Sequence, residues 1–118
     1  MSLEPPPAWV LRAARARLNR THKWSAYFDV MSVYYDIAPV KALVNPQLGS
    51  KIVAQYSSTP APLIESKAET MSEQTALHEF FHHLFHQRRR RHSGEGEQAL
   101  ADQFAMECLE LNSAGSPT

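Results

Sequence analysis

Cysteine is nearly missing from this chain. Cys108 is the single thiol, which excludes an intrachain disulfide and suits a reducing compartment. Stability must therefore come from a hydrophobic core, and 118 residues, near the commonest domain size, are enough to bury one. Net charge is missing as well. Lys plus Arg and Asp plus Glu stand at 12 each, so no field of one sign draws the whole chain to nucleic acid or to an anionic membrane. No run approaches the ~18 apolar residues of a membrane span, and Met1 to Pro7 lacks the basic-then-apolar layout of a secretory signal. The expectation is a cytoplasmic protein with no membrane partner, in which any nucleic-acid contact depends on a local patch.

What is present has the mixture of a globular chain, 43% hydrophobic and 20% charged, which sets it apart from disordered and fibrous classes. Pro5-Pro6-Pro7 makes residues 1–7 a stiff, extended lead-in. A basic amphipathic helix is predicted over Ala8 to Asn19. A second runs over Trp24 to about Asp36, where Tyr27, Val30, Met31 and Tyr34 recur at the helical period, although their aromatic and β-branched character also suits a strand. Pro39 ends that pattern. Short apolar runs at Val40 to Val44, Lys51 to Tyr56 and Leu63 to Ser66, parted by Asn45-Pro46, Gly49-Ser50 and a Ser/Thr/Pro loop, predict a small three-stranded sheet, with Leu63 to Ser66 as an edge strand because Pro62 precedes it. Two helices follow, one from Ser72, a good N-cap, to Gln87 and one from about Gly96 to Leu111, before a small polar tail at 112–118. Together these elements predict one α+β domain over residues 1–118, with no internal repeat.

Chemistry concentrates in His78-Glu79-Phe80-Phe81-His82. Residues four apart share one helix face, so His78 and His82 can aim imidazole nitrogens at a single ion. Glu79 follows the first of them and can take a proton from a water activated by a metal, which makes it a general base and not a ligand. Zinc is the expected cofactor, one Zn2+, because two imidazole nitrogens on one helix face suit two corners of its tetrahedral shell. The flanking Leu77, Phe80, Phe81, Leu84 and Phe85 make the helix mostly buried, where unpartnered imidazoles are costly. His86 lies ~12 Å along the axis from His78 at ~1.5 Å per residue, too far to share the ion on a straight helix. It and His83 are read as supporting or pocket-lining groups.

The pattern His78-Glu79-x-x-His82-x-x-x-His86, followed by Glu97-Gln98-Ala99-Leu100-Ala101-Asp102-Gln103-Phe104-Ala105, resembles the ImmA/IrrE-like metallopeptidases. The resemblance covers most of residues 24 to 111, with the specific motifs in the last forty or so. It implies a minimal zincin-like fold and hydrolysis of peptide bonds. It further implies a third zinc ligand that is a glutamate on the last helix, an Asp102 that orients a histidine, and a regulatory protein such as a DNA-binding repressor as substrate. One position departs from the family pattern: aligning Asp102-Gln103-Phe104-Ala105 puts Gln98 where the ligand glutamate belongs, and Glu97 comes one residue early. Glu97 is the expected third ligand, through a local bulge or a shifted helix start, with Glu95 and Asp102 as the alternatives.

Tyr34, Tyr35, Tyr56 and His22 are candidate donors to a tetrahedral oxyanion, and nothing in the sequence chooses among them. Cys108 reads as a small core hydrophobe. The run Arg88 to Arg91 suits a helix C-terminus and a solvated loop. It also supports a rival reading, in which zinc only braces two helices of a nucleic-acid- or protein-binding module and the arginines make the contact.

Overall fold

Backbone breaks and apolar spacing set the order of elements. The computed structural model describes residues 4–67, 71–88 and 94–114, with backbone alone for 94, 95 and 111–114. The first helix, α1 (Ala8–Thr21), starts behind Pro7 and buries Val10, Leu11 and Ala14 along one side. Its end is set by His22 in the left-handed region at φ 59°, whose N–H donates to the Leu18 carbonyl. For α2 (Trp24–Tyr35) the helical period wins over β propensity, because Tyr27, Phe28, Met31 and Tyr35 must all reach the same core. Asp36, left-handed at φ 56°, closes it.

The sheet comprises β1 (Lys41–Val44), β2 (Ala54–Ser57) and β3 (Leu63–Ser66) in the order β1-β3-β2. β1 runs parallel to β3, pairing Lys41 with Leu63, and β2 runs antiparallel to it, pairing Ala54 with Ser66. Leu63 to Ser66 is therefore the central strand and not the predicted edge. Pro62 misleads because it stands just before the ladder, where its missing N–H breaks no bond, and its carbonyl accepts from Lys41 N–H at 3.2 Å. The second strand starts at Ala54 and not at Lys51. Ile52 N–H closes a turn on the Gly49 carbonyl at 2.9 Å, which leaves Ile52 and Val53 exposed outside the sheet.

Two helices complete the chain, α3 (Glu73–Gln87) and α4 (Gly94–Ala114), the latter two residues earlier and three later than the sequence pattern predicts. Ser72 caps α3 by accepting from Thr75 N–H at 3.1 Å. The core gathers round α3. Phe80 stacks on Phe28 of α2 at 6.0 Å between ring centroids, and Phe81 meets Phe104 of α4 at 5.3 Å. On α4, Ala101, Phe104, Ala105 and Cys108 face inward at the three- and four-residue steps of one helix face. Burial pushes the Cys108 thiol up to about 12, so it stays protonated and serves as packing. Among the described residues no helix is long and apolar enough to cross a membrane.

One polar junction ties three helices together at the start of α3. The Glu73 carboxylate accepts from Arg15 Nε at 2.8 and 2.9 Å and from the hydroxyl of fully buried Tyr27 at 2.7 Å. Burial, reinforced by the Glu73 charge, pushes the Tyr27 hydroxyl well above its ordinary range and keeps it a donor. Glu73→Ala would strand that hydroxyl and Arg15 together, with an expected loss of about 2 kcal/mol in urea unfolding. Tyr27→Phe should then cost less in the Glu73→Ala background than in the wild type. Equal costs in both backgrounds would show that the junction contributes nothing.

Candidate functional site

At ~100° per residue, His78, His82 and Glu79 fall within an arc of roughly 100° on α3, opposite Leu77, Phe80 and Leu84. Anchoring that apolar face in the core turns the polar arc towards β2 and α4. Between these three elements lies a cleft of about 350 Å3, lined by Tyr56 and Ser58, by Glu79, His82 and His86, and by Glu97 and Gln98. The strand beside it is β2. Among the described residues it is the unpaired edge of β2 that borders the cleft, because β3 is bonded on both sides.

The two histidines face one another through Nε2 atoms 3.2 Å apart. Each ring is held from behind by a carboxylate on α4: Asp102 Oδ1 lies 2.7 Å from His78 Nδ1, and Glu97 Oε2 contacts His82 Nδ1. A carboxylate accepts and cannot donate, so both imidazole protons belong on Nδ1 and both Nε2 atoms present lone pairs. Gln98 Oε1 lies 2.8 Å from His78 Nε2. With both Nε2 atoms unprotonated, a cation between them would relieve the repulsion of their lone pairs. The 3.2 Å spacing also matches the ~3.3 Å expected for two nitrogens bound at ~2.0–2.1 Å to one tetrahedral ion. The two imidazole nitrogens are donors of the kind zinc takes. Among the described residues, however, no three His, Cys, Asp or Glu side chains are placed to share an ion.

Glu79 is buried beside the pair, with Oε2 at 3.9 Å from His78 Nε2. Burial raises its carboxyl above the ordinary range, opposed by electrostatic attraction to His82 and His78 and by the backbone N–H of Tyr56. A carboxyl with raised proton affinity at the rim of a cleft is equipped to accept and return a proton.

His83, fully buried on the same helix, takes no part in the pair. Its Nε2 lies 2.6 Å from the Ala38 carbonyl, an acceptor, so that nitrogen carries the proton and Nδ1 accepts from Tyr56 OH at 3.1 Å. Burial depresses the pKa of the ring and keeps it neutral. Tyr56 alone of the oxyanion candidates lines the cleft, and its proton is engaged by His83. Tyr35 donates to the Glu4 carbonyl, Tyr34 packs edge-on against Trp9, and His22 sits at the end of α1. His86 borders the cleft, with its ring centroid 6.0 Å from that of Tyr56.

Of the predicted ligands, His78 and His82 come together, while Glu97 sits at the Nδ1 side of His82 and Asp102 at the Nδ1 side of His78. The Glu95 side chain and Arg89 to Arg91 lie outside the described residues. Arg88 donates to the Tyr35 carbonyl at 2.9 Å. Gln98, which the alignment with the family pattern puts at the place of the ligand glutamate, shares one face of α4 with Asp102 through their four-residue step. Compared with known proteins, the chain matches no family model, no curated protein and no solved structure.

Proposed function

We propose that this chain is a zinc metallopeptidase with a minimal zincin-like fold, which holds one Zn2+ through His78, His82 and a third donor from α4 and uses Glu79 as general base. The observation that carries the reading is the pair of facing imidazole nitrogens, His78 Nε2 and His82 Nε2, with Gln98 Oε1 against the first and the buried Glu79 carboxyl beside them, next to an open cleft. Zinc, when bound, polarises a carbonyl and lowers the pKa of a water towards ~7. Glu79 takes a proton from the attacking water and returns it to the departing amide nitrogen, so the carboxyl ends as it began. Asp102 and Glu97 keep the imidazoles in the tautomer that leaves Nε2 free. An extended peptide would lie along the unpaired edge of β2, pairing with backbone groups other than the Tyr56 N–H that Glu79 holds, while the cleft selects side chains.

The likeness to ImmA/IrrE-like peptidases adds a regulatory protein, such as a DNA-binding repressor, as the substrate class; this step rests on analogy. The test is cleavage of a diverse peptide library by zinc-loaded protein, followed by chelation and zinc add-back. Cleavage should vanish with the metal and return with it. Products that persist unchanged after the zinc is stripped, or none from the loaded protein, would count against a metallopeptidase.

A further inference from the structure

We infer that Gln98, and not Glu97, is the third protein donor to the zinc ion, while Glu97 acts as a positioning residue behind His82. The inference rests on the proposed zinc site and assigns its oxygen ligand.

Two neighbours on a helix cannot serve one point from the same side, because their side chains diverge by ~100°. Asp102 decides between them. Gln98 and Asp102 stand one turn apart on α4 and grip opposite nitrogens of a single ring, Oδ1 of Asp102 on His78 Nδ1 at 2.7 Å and Oε1 of Gln98 on His78 Nε2 at 2.8 Å. The Gln98 oxygen thus lies against the nitrogen of His78 that faces His82. The Glu97 carboxylate occupies a different place, on the Nδ1 side of His82, where the ring itself separates it from the facing Nε2 atoms. To exchange these places α4 would have to turn by about one residue. That rotation would break the Asp102 contact and carry Ala101, Phe104 and Ala105, all buried, out of the core. The packing of α4 therefore selects Gln98.

An amide oxygen has a chemical consequence. With two neutral imidazoles and a neutral amide, no directly bound side chain cancels the +2 charge, and the carboxylates of Glu97 and Asp102 offset it only through the rings they hold. Zinc should bind more weakly than in a site with a carboxylate ligand and exchange more readily. Gln98→Glu puts a charged oxygen in the same place and should tighten binding.

The experiment measures zinc affinity by competition with a chromogenic chelator, and cobalt(II) absorption, for the full chain and for Gln98→Leu, Gln98→Glu, Glu97→Gln and His78→Ala. Expected are weakening by ~10-fold or more for Gln98→Leu, tightening by ~10-fold or more for Gln98→Glu, and a shifted cobalt spectrum in both. Glu97→Gln should weaken zinc through His82 yet leave the cobalt band positions in place, because the directly bound atoms are unchanged. If Gln98→Leu binds zinc as the wild type does while Glu97→Gln shifts the cobalt bands, Glu97 is the ligand and the inference is overturned. If the wild type binds zinc no better than His78→Ala does, the zinc site itself fails, and this inference with it.

Discussion

Glu79→Gln is expected to reduce peptide cleavage by ~10²–10⁴-fold, the usual contribution of a positioned general base, while zinc content stays at the wild-type level. Glutamine keeps the size of glutamate and its hydrogen-bonding oxygen, but it cannot take up a proton. The site makes this loss hard to bypass. Glu79 is buried, its Oε2 stands 3.9 Å from His78 Nε2, and the Tyr56 N–H holds it from β2. His83 on the same helix already has both nitrogens engaged by Ala38 and Tyr56. Because Glu79 touches none of the metal-facing nitrogens closely, its replacement separates catalysis from metal binding. Turnover within a few-fold of wild type, with zinc retained, would remove Glu79 from the mechanism.

Phe80→Ala should cost ~3–5 kcal/mol, a large part of the ~5–15 kcal/mol that holds a domain of ordinary stability. Phe80 has no exposed surface. Its ring stacks on Phe28 at 6.0 Å and 12° and lies 6.1 Å from Tyr35, so it joins α3 to α2. On its other side it meets His83 edge-on at 5.9 Å, which links the packing face of α3 to the polar arc one residue away from Glu79. Truncation leaves a cavity bounded by rings that cannot collapse together without moving α2. Urea unfolding of the zinc-free protein isolates this term from any stabilisation by metal. A loss below about 1 kcal/mol would mean that the Phe28–Phe80 stack is not a principal tie of the fold.

Much of the architecture could be read from local chemistry. The α3 helix is legible because Ser72 caps it and its large apolar residues recur at 77, 80, 81 and 84, which also puts His78, Glu79 and His82 on the remaining face. The α2 helix is legible for the same reason, despite aromatic content that suits a strand. The sheet is less so. Strand order depends on which segments meet across long separations, and neither Pro62 nor the apolar Ile52-Val53 pair carries that information, so the central strand reads as an edge and the second strand as three residues too long at its start.

The centre of the site shows the same division. His78, Glu79 and His82 depend on spacing within one helix, and the helical period is an intrinsic property of the backbone, so sequence alone determined their common face. What stands opposite them is another matter. Glu97, Gln98 and Asp102 are near neighbours on α4, and a rotation of one residue would exchange their places; only the burial of Ala101, Phe104, Ala105 and Cys108 decides that rotation. Tertiary packing thereby placed Glu97 and Asp102 behind the two imidazoles and Gln98 against His78 Nε2, and made β2 the strand that borders the cleft. The physical reason is one of range: a helix face follows from contacts within four residues, whereas the meeting of two helices and a strand follows from the shape of the core they share.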